Sequence, residues 1–232
     1  MLTFLWLACA RPQVPENAMS SDPLHEHLAE WAADGRPETI DDLRADAFQS
    51  LADWIVEQAD APMIFVCTHN SRRSHMSQLW AQAAADHFRL EHVRTFSGGT
   101  EATAFNPRAV NALTAHGFQI APSGDVIGDA NVVYDVTIGD RAEPVRAFSK
   151  TFGDDFNPQD GFAAVMTCSA ADAACPFVPG ADIRAAIPYL DPKTSDGTPE
   201  EASTYLAKSE EIGREMVYLM KLAAEQKATA DR

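Results

Sequence analysis

The segment from Cys67 to Ser74 combines residue types that together could handle a tetrahedral oxyanion. Cys67 is followed six positions later by Arg73 and then by Ser74. The segment comes directly after the apolar run 63–66 and just before a helix-like stretch, 76–88. A cysteine where a buried strand turns into a helix lies among helix N-terminal N–H groups, which bind anions and favour a thiolate. Arg73 adds a planar fork of donors. The segment therefore predicts a thiolate nucleophile in a cradle suited to phosphate or arsenate.

The pattern Cys-x5-Arg-Ser after a first strand resembles the low-molecular-weight protein tyrosine phosphatase superfamily, which includes the thioredoxin-coupled arsenate reductases. The resemblance implies that Cys67 is the nucleophile and that Arg73 binds the oxyanion. It also implies that Ser74 donates a hydrogen bond to the thiolate and that Asn70 braces the loop. The side chains of His69, Arg72 and His75 are expected to face solvent or the rim, without catalytic roles. The predicted oxyanion-binding loop comprises Thr68, His69, Asn70, Ser71, Arg72 and Arg73.

The pair Asp191-Pro192 is a second candidate element. It follows the strand-like segment 187–190 and precedes a long helical pattern. An Asp-Pro pair is by itself most often a turn. Its place late in the chain matches the Asp-Pro loop of the same superfamily, and the resemblance implies that Asp191 is the general acid that protonates a leaving oxygen.

Two further thiols, Cys168 and Cys175, lie seven positions apart around a predicted strand end. They could be two small core residues. As a redox pair they could form a disulfide only if the segment between them loosens, because bridged Cα atoms lie within about 7 Å. The pattern Cys-x6-Cys-Pro, followed by Asp191-Pro192, resembles the thioredoxin-coupled arsenate reductases rather than ordinary tyrosine phosphatases. The resemblance implies that Cys67, Cys168 and Cys175 form a thiol relay regenerated by thioredoxin.

The sequence is therefore compatible with three functions. The first is reduction of arsenate to arsenite by the three cysteines. The second is hydrolysis of a phosphate ester through a phosphocysteine, which needs only Cys67, Arg73 and Asp191. The third is a sensing or anion-binding module without turnover.

No cofactor and no metal are expected. The reductases carry an acidic residue soon after the loop that helps to bind potassium, and the corresponding position here is Gln78, which argues against such a site. No Cys/His set has the spacing of a zinc site. The segment 132–160 is also longer than its counterpart in that superfamily and includes a possible hairpin at 132–148.

Short apolar strands alternating with helices predict an α/β fold with a central, mainly parallel four-stranded sheet in three α/β/α layers. The expected strands are 63–66, 93–96, 162–166 and 187–190, and the expected helices are 75–88, 106–116 and 199–224, with Leu206 among the inward residues of the last. Ligands of such sheets bind at the carboxyl ends of the strands, where Cys67 and Cys168 fall. Residues 1–22 are expected to be a tail or linker, 23–60 a helical extension, and 61–226 the phosphatase- or reductase-like domain.

The composition of the chain argues against several classes of function. The chain has 232 residues, is 46% hydrophobic and carries a formal net charge of −16, which argues against nucleic acid as a partner. No apolar run approaches the about 20 residues of a membrane helix. Four cysteines are too sparse for a disulfide scaffold. A cytoplasmic location is expected, with lipidation or export through Cys9, which ends a short apolar run, as a minor alternative.

Overall fold

The computed structural model describes residues 22–230 except Asp140 and Ala142, and it leaves the side chain of Leu43 undescribed. Almost all of the predicted tail, including Cys9, therefore lies outside the described residues. The elements in chain order are α1 (Pro23–Ala33), α2 (Asp42–Glu57), β1 (Ala61–Cys67), α3 (Arg73–His87), β2 (Val93–Gly99), α4 (Pro107–Ala115), β3 (Gln119–Ile127), β4 (Asn131–Thr137), β5 (Val145–Ala147), β6 (Phe162–Met166), α5 (Ser169–Ala174), β7 (Ala181–Ala186), a short 3-10 helix (Pro192–Ser195) and α6 (Glu201–Ala230).

The central sheet has four strands in the order β2-β1-β6-β7, and every neighbouring pair is parallel. The predicted α/β class with a parallel four-stranded sheet is confirmed. The chain runs from β1 outward to β2 and then returns to β6 on the other side of β1. The strand order thus reverses at β1, which is the place where ligands bind in open parallel sheets. Cys67 ends β1 at this reversal, and Cys168 follows β6.

Alternate side chains of a strand point to opposite faces of the sheet, and both faces of this sheet are buried in a hydrophobic core. In β1, Met63 and Phe65 pack into the larger core with α3 and α6, whereas Ile64, Val66 and Cys67 pack into a smaller core on the other face. Helix α5 covers that second face, against β1 and β6. Cys67 thus lies at the edge of a dry cluster that also contains Cys168.

Several predicted boundaries were wrong. The fourth strand is Ala181–Ala186 rather than 187–190, which runs on as irregular chain toward Asp191. The final helix continues to Ala230, and Leu206 is exposed rather than inward. Strand β3 was not predicted: it pairs with β4 in a separate antiparallel three-stranded sheet, β3-β4-β5, and its side chains are mostly exposed, so it lacks an apolar pattern.

Helices α1 and α2 precede the sheet domain in the chain and pack on α6. Trp31 of α1 meets Trp80 of α3 with ring centroids 5.0 Å apart. Gly213 of α6 faces both rings, and a Cβ there would lie 2.6 Å from Trp31 and 2.9 Å from Trp80. The contact therefore requires glycine at this point. Among the described helices, none has the length and apolar character needed to cross a bilayer.

Candidate active site

The segment after β1 folds into a loop whose backbone carbonyls face away from its centre. The Cys67 carbonyl accepts from Thr100 N at 3.2 Å, and the Thr68 carbonyl accepts from Glu101 N at 2.9 Å. The Ser71 carbonyl accepts from Asn106 N at 2.8 Å. Helix α3 begins without a side-chain cap, so the N–H groups of its first turn have no partner within the helix. Loop and helix together leave a ring of donors for an anion.

Gly99 holds this loop from behind. A Cβ on Gly99 would lie 2.7 Å from Asn70 N and 2.8 Å from Thr68 O. Real Cβ atoms do not approach backbone this closely, so a side chain here would displace the loop. The end of β2 therefore fixes the loop by direct backbone contact.

Cys67, Ser74 and Asn70 form a connected hydrogen-bond network. Cys67 Sγ lies 3.1 Å from Ser74 Oγ, which also accepts from Asn70 Nδ2 at 2.8 Å. Because the Ser74 oxygen accepts from Asn70, its own hydrogen is free to point at the sulfur, where it stabilises a thiolate. Asn70 adopts a φ of +42°, and its Oδ1 accepts from Lys150 N at 2.9 Å. The structure thus brings together three residues that the sequence predicted to act as one unit.

Arg73 and Asp191 face each other across the mouth of the loop. Arg73 Nη2 donates to Asp191 Oδ2 at 2.7 Å, and Nη1 donates to the Tyr189 carbonyl at 3.1 Å. Both acceptors come from the segment that leads into the 3-10 helix. The carboxylate therefore occupies the fork that an incoming oxyanion would use, and it lies where it could protonate a leaving oxygen.

The three side chains expected at the rim, His69, Arg72 and His75, lie in different environments. His69 is half exposed and lies 2.9 Å from Glu101, at the rim as expected. Arg72 is mostly buried, contrary to expectation: its Nε donates to Tyr205 Oη at 2.9 Å, and its Nη1 lies 3.8 Å from Asp191 Oδ1. Arg72 thus places a second positive charge beside Asp191.

His75 is fully buried rather than solvent-facing. Its ring stacks on Phe105 with centroids 4.0 Å apart, and neither ring nitrogen has a well-formed hydrogen bond to a described group, although the Phe148 backbone lies close enough to oppose the fall in pKa. Burial first, and the positive charge of Lys150 second, lower the pKa of His75 to about 3. Lys150 is itself buried, with Nζ 4.5 Å from the Phe148 ring centre, and burial lowers its pKa to about 8. His75 is therefore a neutral core residue.

Cys168 lies directly beside the loop. Its Sγ is 3.5 Å from Thr68 Oγ1, and it accepts from Ala171 N at 3.3 Å, so the thiol caps the start of α5. Cys175 ends that helix, is partly exposed and packs against the cluster that contains Cys67. All three cysteines are free thiols.

The C-terminal end of α5 is held by Arg184 of β7. Arg184 Nε donates to the Cys175 carbonyl at 3.0 Å, and Nη2 donates to the Asp172 carbonyl at 2.9 Å. Arg184 also forms an ion pair with the Asp172 carboxylate. These bonds join Cys175 to the sheet.

The position linked with potassium carries a neutral amide. Gln78 is buried; its Nε2 donates to Thr95 O at 3.2 Å, and its Oε1 has no hydrogen-bond partner. An amide cannot supply the negative charge of the acidic residue expected in a potassium site. Within the described parts of the chain, no three His, Cys, Asp or Glu side chains are arranged to hold a metal ion.

Comparisons with known proteins find relatives of the kind that the sequence motifs resemble. A family model described as low molecular weight phosphotyrosine protein phosphatase matches residues 62–127, which include the loop. An arsenate reductase of Bacillus subtilis is 27% identical over 154 residues, covering 66% of this chain and 89% of that protein. An arsenate reductase of Bacillus licheniformis is 25% identical over 150 residues, covering 64% and 87%.

Among solved structures, a low molecular weight phosphotyrosine phosphatase of Vibrio cholerae superposes with a TM-score of 0.50 at 15% identity, covering 72% of this chain and 98% of that one. This likeness concerns the fold alone. The family match at residues 62–127 and the curated relatives confirm the resemblance to the low-molecular-weight phosphatase superfamily, with arsenate reductases among the relatives.

Proposed function

We propose that this protein reduces arsenate to arsenite through Cys67, Cys168 and Cys175. The observation that carries the proposal is the place of Cys168, whose sulfur lies 3.5 Å from Thr68 Oγ1 at the edge of the oxyanion loop. A hydrolase needs no thiol there. The curated relatives named arsenate reductase support the same choice.

In the first step the Cys67 thiolate attacks arsenic, held by the loop N–H groups and Arg73. Asp191 gives its proton to the departing oxygen, which leaves as water, and a sulfur–arsenic bond forms. In the second step the Cys168 thiolate attacks Cys67 Sγ. The sulfur–arsenic electron pair stays on arsenic, arsenite leaves, and a Cys67–Cys168 disulfide remains.

In the third step Cys175 attacks Cys168 and frees the Cys67 thiolate. Seven positions of helix span about 10 Å, whereas bridged Cα atoms lie within about 7 Å, so α5 must unwind for the Cys168–Cys175 disulfide to close. Cys175 is partly exposed, and Phe177 beside it is 75% exposed. We propose that thioredoxin reduces the disulfide at this surface. The cycle needs no resident cofactor.

One turnover with arsenate, without reductant, tests the relay. The expected product is one arsenite per chain and a Cys168–Cys175 disulfide, mapped by mass spectrometry. The variant Cys168→Ser should still form the Cys67 adduct but stop multiple turnover with thioredoxin. Undiminished turnover by that variant would refute the relay.

Phosphate ester hydrolysis is the second candidate, favoured by the facing Arg73 and Asp191 and by the family match at 62–127. It predicts fast hydrolysis of para-nitrophenyl phosphate by the double variant Cys168→Ser/Cys175→Ser. If that variant loses arsenate turnover while its phosphatase activity equals that of the wild type, the two distal thiols act in the reduction instead.

A further inference from the structure

Arg44 of α2 reaches from the N-terminal helices to the segment that carries the catalytic acid. Its Nη1 donates to the Pro188 carbonyl at 2.9 Å, and its guanidinium lies over the Tyr189 ring, 5.2 Å from the ring centre. Arg44 Nη2 pairs with the Glu215 carboxylate of α6. Thus one side chain joins α2, α6 and the chain ahead of Asp191.

Two successive carbonyls of this segment are held by two different arginines. Pro188 O accepts from Arg44, and Tyr189 O accepts from Arg73 at 3.1 Å. Two residues later, Asp191 pairs with the same Arg73. Segment 187–191 belongs to no strand. Its backbone is joined to the end of β6 through Ile187 N and Tyr189 N, which donate to the Met166 and Thr167 carbonyls at 2.9 and 3.1 Å, and the two arginines hold its carbonyls on the way to Asp191.

A purely structural role explains only part of this arrangement. The Glu215 side chain is fully buried and requires a positive partner, which accounts for the ion pair. Burial, and then the charge of Glu215, raise the pKa of Tyr189 well above its usual range, while the charge of Arg44 opposes the rise. Neutralising Glu215 would need one donor group. The second arm of the guanidinium reaches the Pro188 carbonyl instead, on the side of the reaction centre.

We propose that Arg44 is a positioning residue of the active site, which fixes the 188–191 segment so that Asp191 meets the oxyanion held by Arg73. On this view helix α2, through Arg44, completes the catalytic apparatus. The inference rests on the proposed function for its activity readout only, since the order of segment 187–191 can be measured without any substrate.

The variant Arg44→Lys separates the two roles. A lysine keeps a positive charge beside Glu215, but its compact ammonium lacks the fork that spans the carboxylate and the Pro188 carbonyl. Amide hydrogen exchange in the peptide covering 187–192 should become about tenfold faster. The arsenate kcat should fall about tenfold while KM stays within about threefold, because the acid is misplaced and the loop is intact. Phosphate should still protect Cys67 from iodoacetamide.

Lys221→Met is the matched control. Lys221 also ties the N-terminal helices to α6, donating to the Ala32 and Asp34 carbonyls at 2.8 and 2.9 Å, but it does not touch the 188–191 segment. The variant Lys221→Met should equal the wild type in amide exchange at 187–192, in arsenate turnover and in the protection of Cys67 by phosphate. Equal losses in the two variants would reduce Arg44 to a general docking contact and overturn the inference.

Wild-type exchange at 187–192 in Arg44→Lys would also overturn it. If Arg44→Lys does not fold, Arg44→Met/Glu215→Gln removes both charges of the pair and gives the same readout. A wild type that leaves arsenate unreduced would refute the proposed function, whereas the exchange result would still decide the role of Arg44.

Discussion

At the scale of single residues, the Ser74 hydroxyl links Cys67, the proposed nucleophile, to the loop that carries it. Ser74 accepts from Asn70 and faces the Cys67 sulfur. Asn70 in turn receives the Lys150 N–H. The Cys67 sulfur is thus connected through a chain of hydrogen bonds to the backbone behind the loop.

Replacing Asn70 by alanine should weaken this chain in two ways. It removes two buried hydrogen bonds, each worth about 1 kcal/mol, and places alanine, which tolerates a positive φ less well than asparagine, in that conformation at a cost of about 1 kcal/mol. We expect the free energy of unfolding to fall by about 3 kcal/mol, measured by urea denaturation, and the rate of Cys67 alkylation at pH 6 to fall. Asn70→Gly keeps the backbone conformation, so it should lose only the hydrogen-bond part. Equal stability of the two variants would contradict the strain contribution.

His75 predicts a specific loss of stability in acid. Its pKa is about 3 in the folded protein, against an ordinary 6.5. The unfolded chain therefore binds more protons, and stability falls as the pH drops from 6.5 towards 3. Between pH 7.5 and pH 5 this one group should cost about 2 kcal/mol.

His75→Phe keeps the stack on Phe105 without a titrating ring. Urea midpoints at the two pH values should show that the variant loses about 2 kcal/mol less than the wild type. An identical pH dependence in both proteins would show that His75 does not titrate on unfolding.

The predicted loop residues Cys67, Asn70, Arg73 and Ser74 lie within eight positions, so local spacing was enough to group them in one loop. The burial of His75 could not be predicted, since its partner Phe105 lies on another segment. Arg44 likewise carries no local pattern, as its acceptor is 144 positions away.

At the scale of elements, α5 is the part that must change shape. It has six residues, begins at the Cys168 cap and ends at Cys175. Arg184 joins its last turn to β7 through the Asp172 and Cys175 carbonyls. The short helix is therefore held at both ends by groups close to the thiols it separates.

Arg184→Met should release the C-terminal end of α5. The bonds are partly exposed, so their loss should favour the unwound helix by about 1 kcal/mol, or about fivefold. Diamide should then close the Cys168–Cys175 disulfide about fivefold faster, followed by mass mapping. Arg146→Met, which removes an exposed pair with Asp125 on the other sheet, is the control. An unchanged or slower closure in Arg184→Met would refute the restraint.

The sequence pattern identified the strand that is buried on both faces and missed the strands that are more exposed. The β6 residues 162–166 are all buried and were predicted with their correct bounds. The fourth strand, 181–186, is half exposed and contains Asp182 and Arg184, so its pattern was weaker than that of 187–190. The mostly exposed β3, with Pro122 and Gly124, had no periodic pattern to find.

At the scale of the whole molecule, α6 connects the N-terminal helices to the sheet domain. It packs against α1, α2, α3 and α4. At its centre Gly213 admits Trp31 from α1 and Trp80 from α3. The two helices before the sheet thus share one core with it.

Gly213→Ala should destabilise the protein even though alanine favours helices by up to about 1 kcal/mol. The added carbon meets two buried indole rings, and overpacking of this kind costs about 1–3 kcal/mol. We expect a net loss of about 1 kcal/mol in urea denaturation followed by tryptophan fluorescence. Gly35→Ala, where nothing lies within 4 Å, should be neutral. A more stable Gly213→Ala would contradict the close packing.

The order of α1, α2 and α6 along the chain bears on biosynthesis. Helices α1 and α2 leave the ribosome before α6, with Leu28, Trp31 and Leu51 unburied, and their packing surface on α6 is made only after all the strands of the central sheet. Chains fold from the N-terminus as they emerge, but here the first helices must wait for residues 201–230. Arg44 cannot meet Pro188 or Glu215 until then. If Cys67 and Asp191 act as proposed, a nascent chain carries the thiol well before the carboxylate can be fixed beside it, so unfinished chains hold the thiol without its partner.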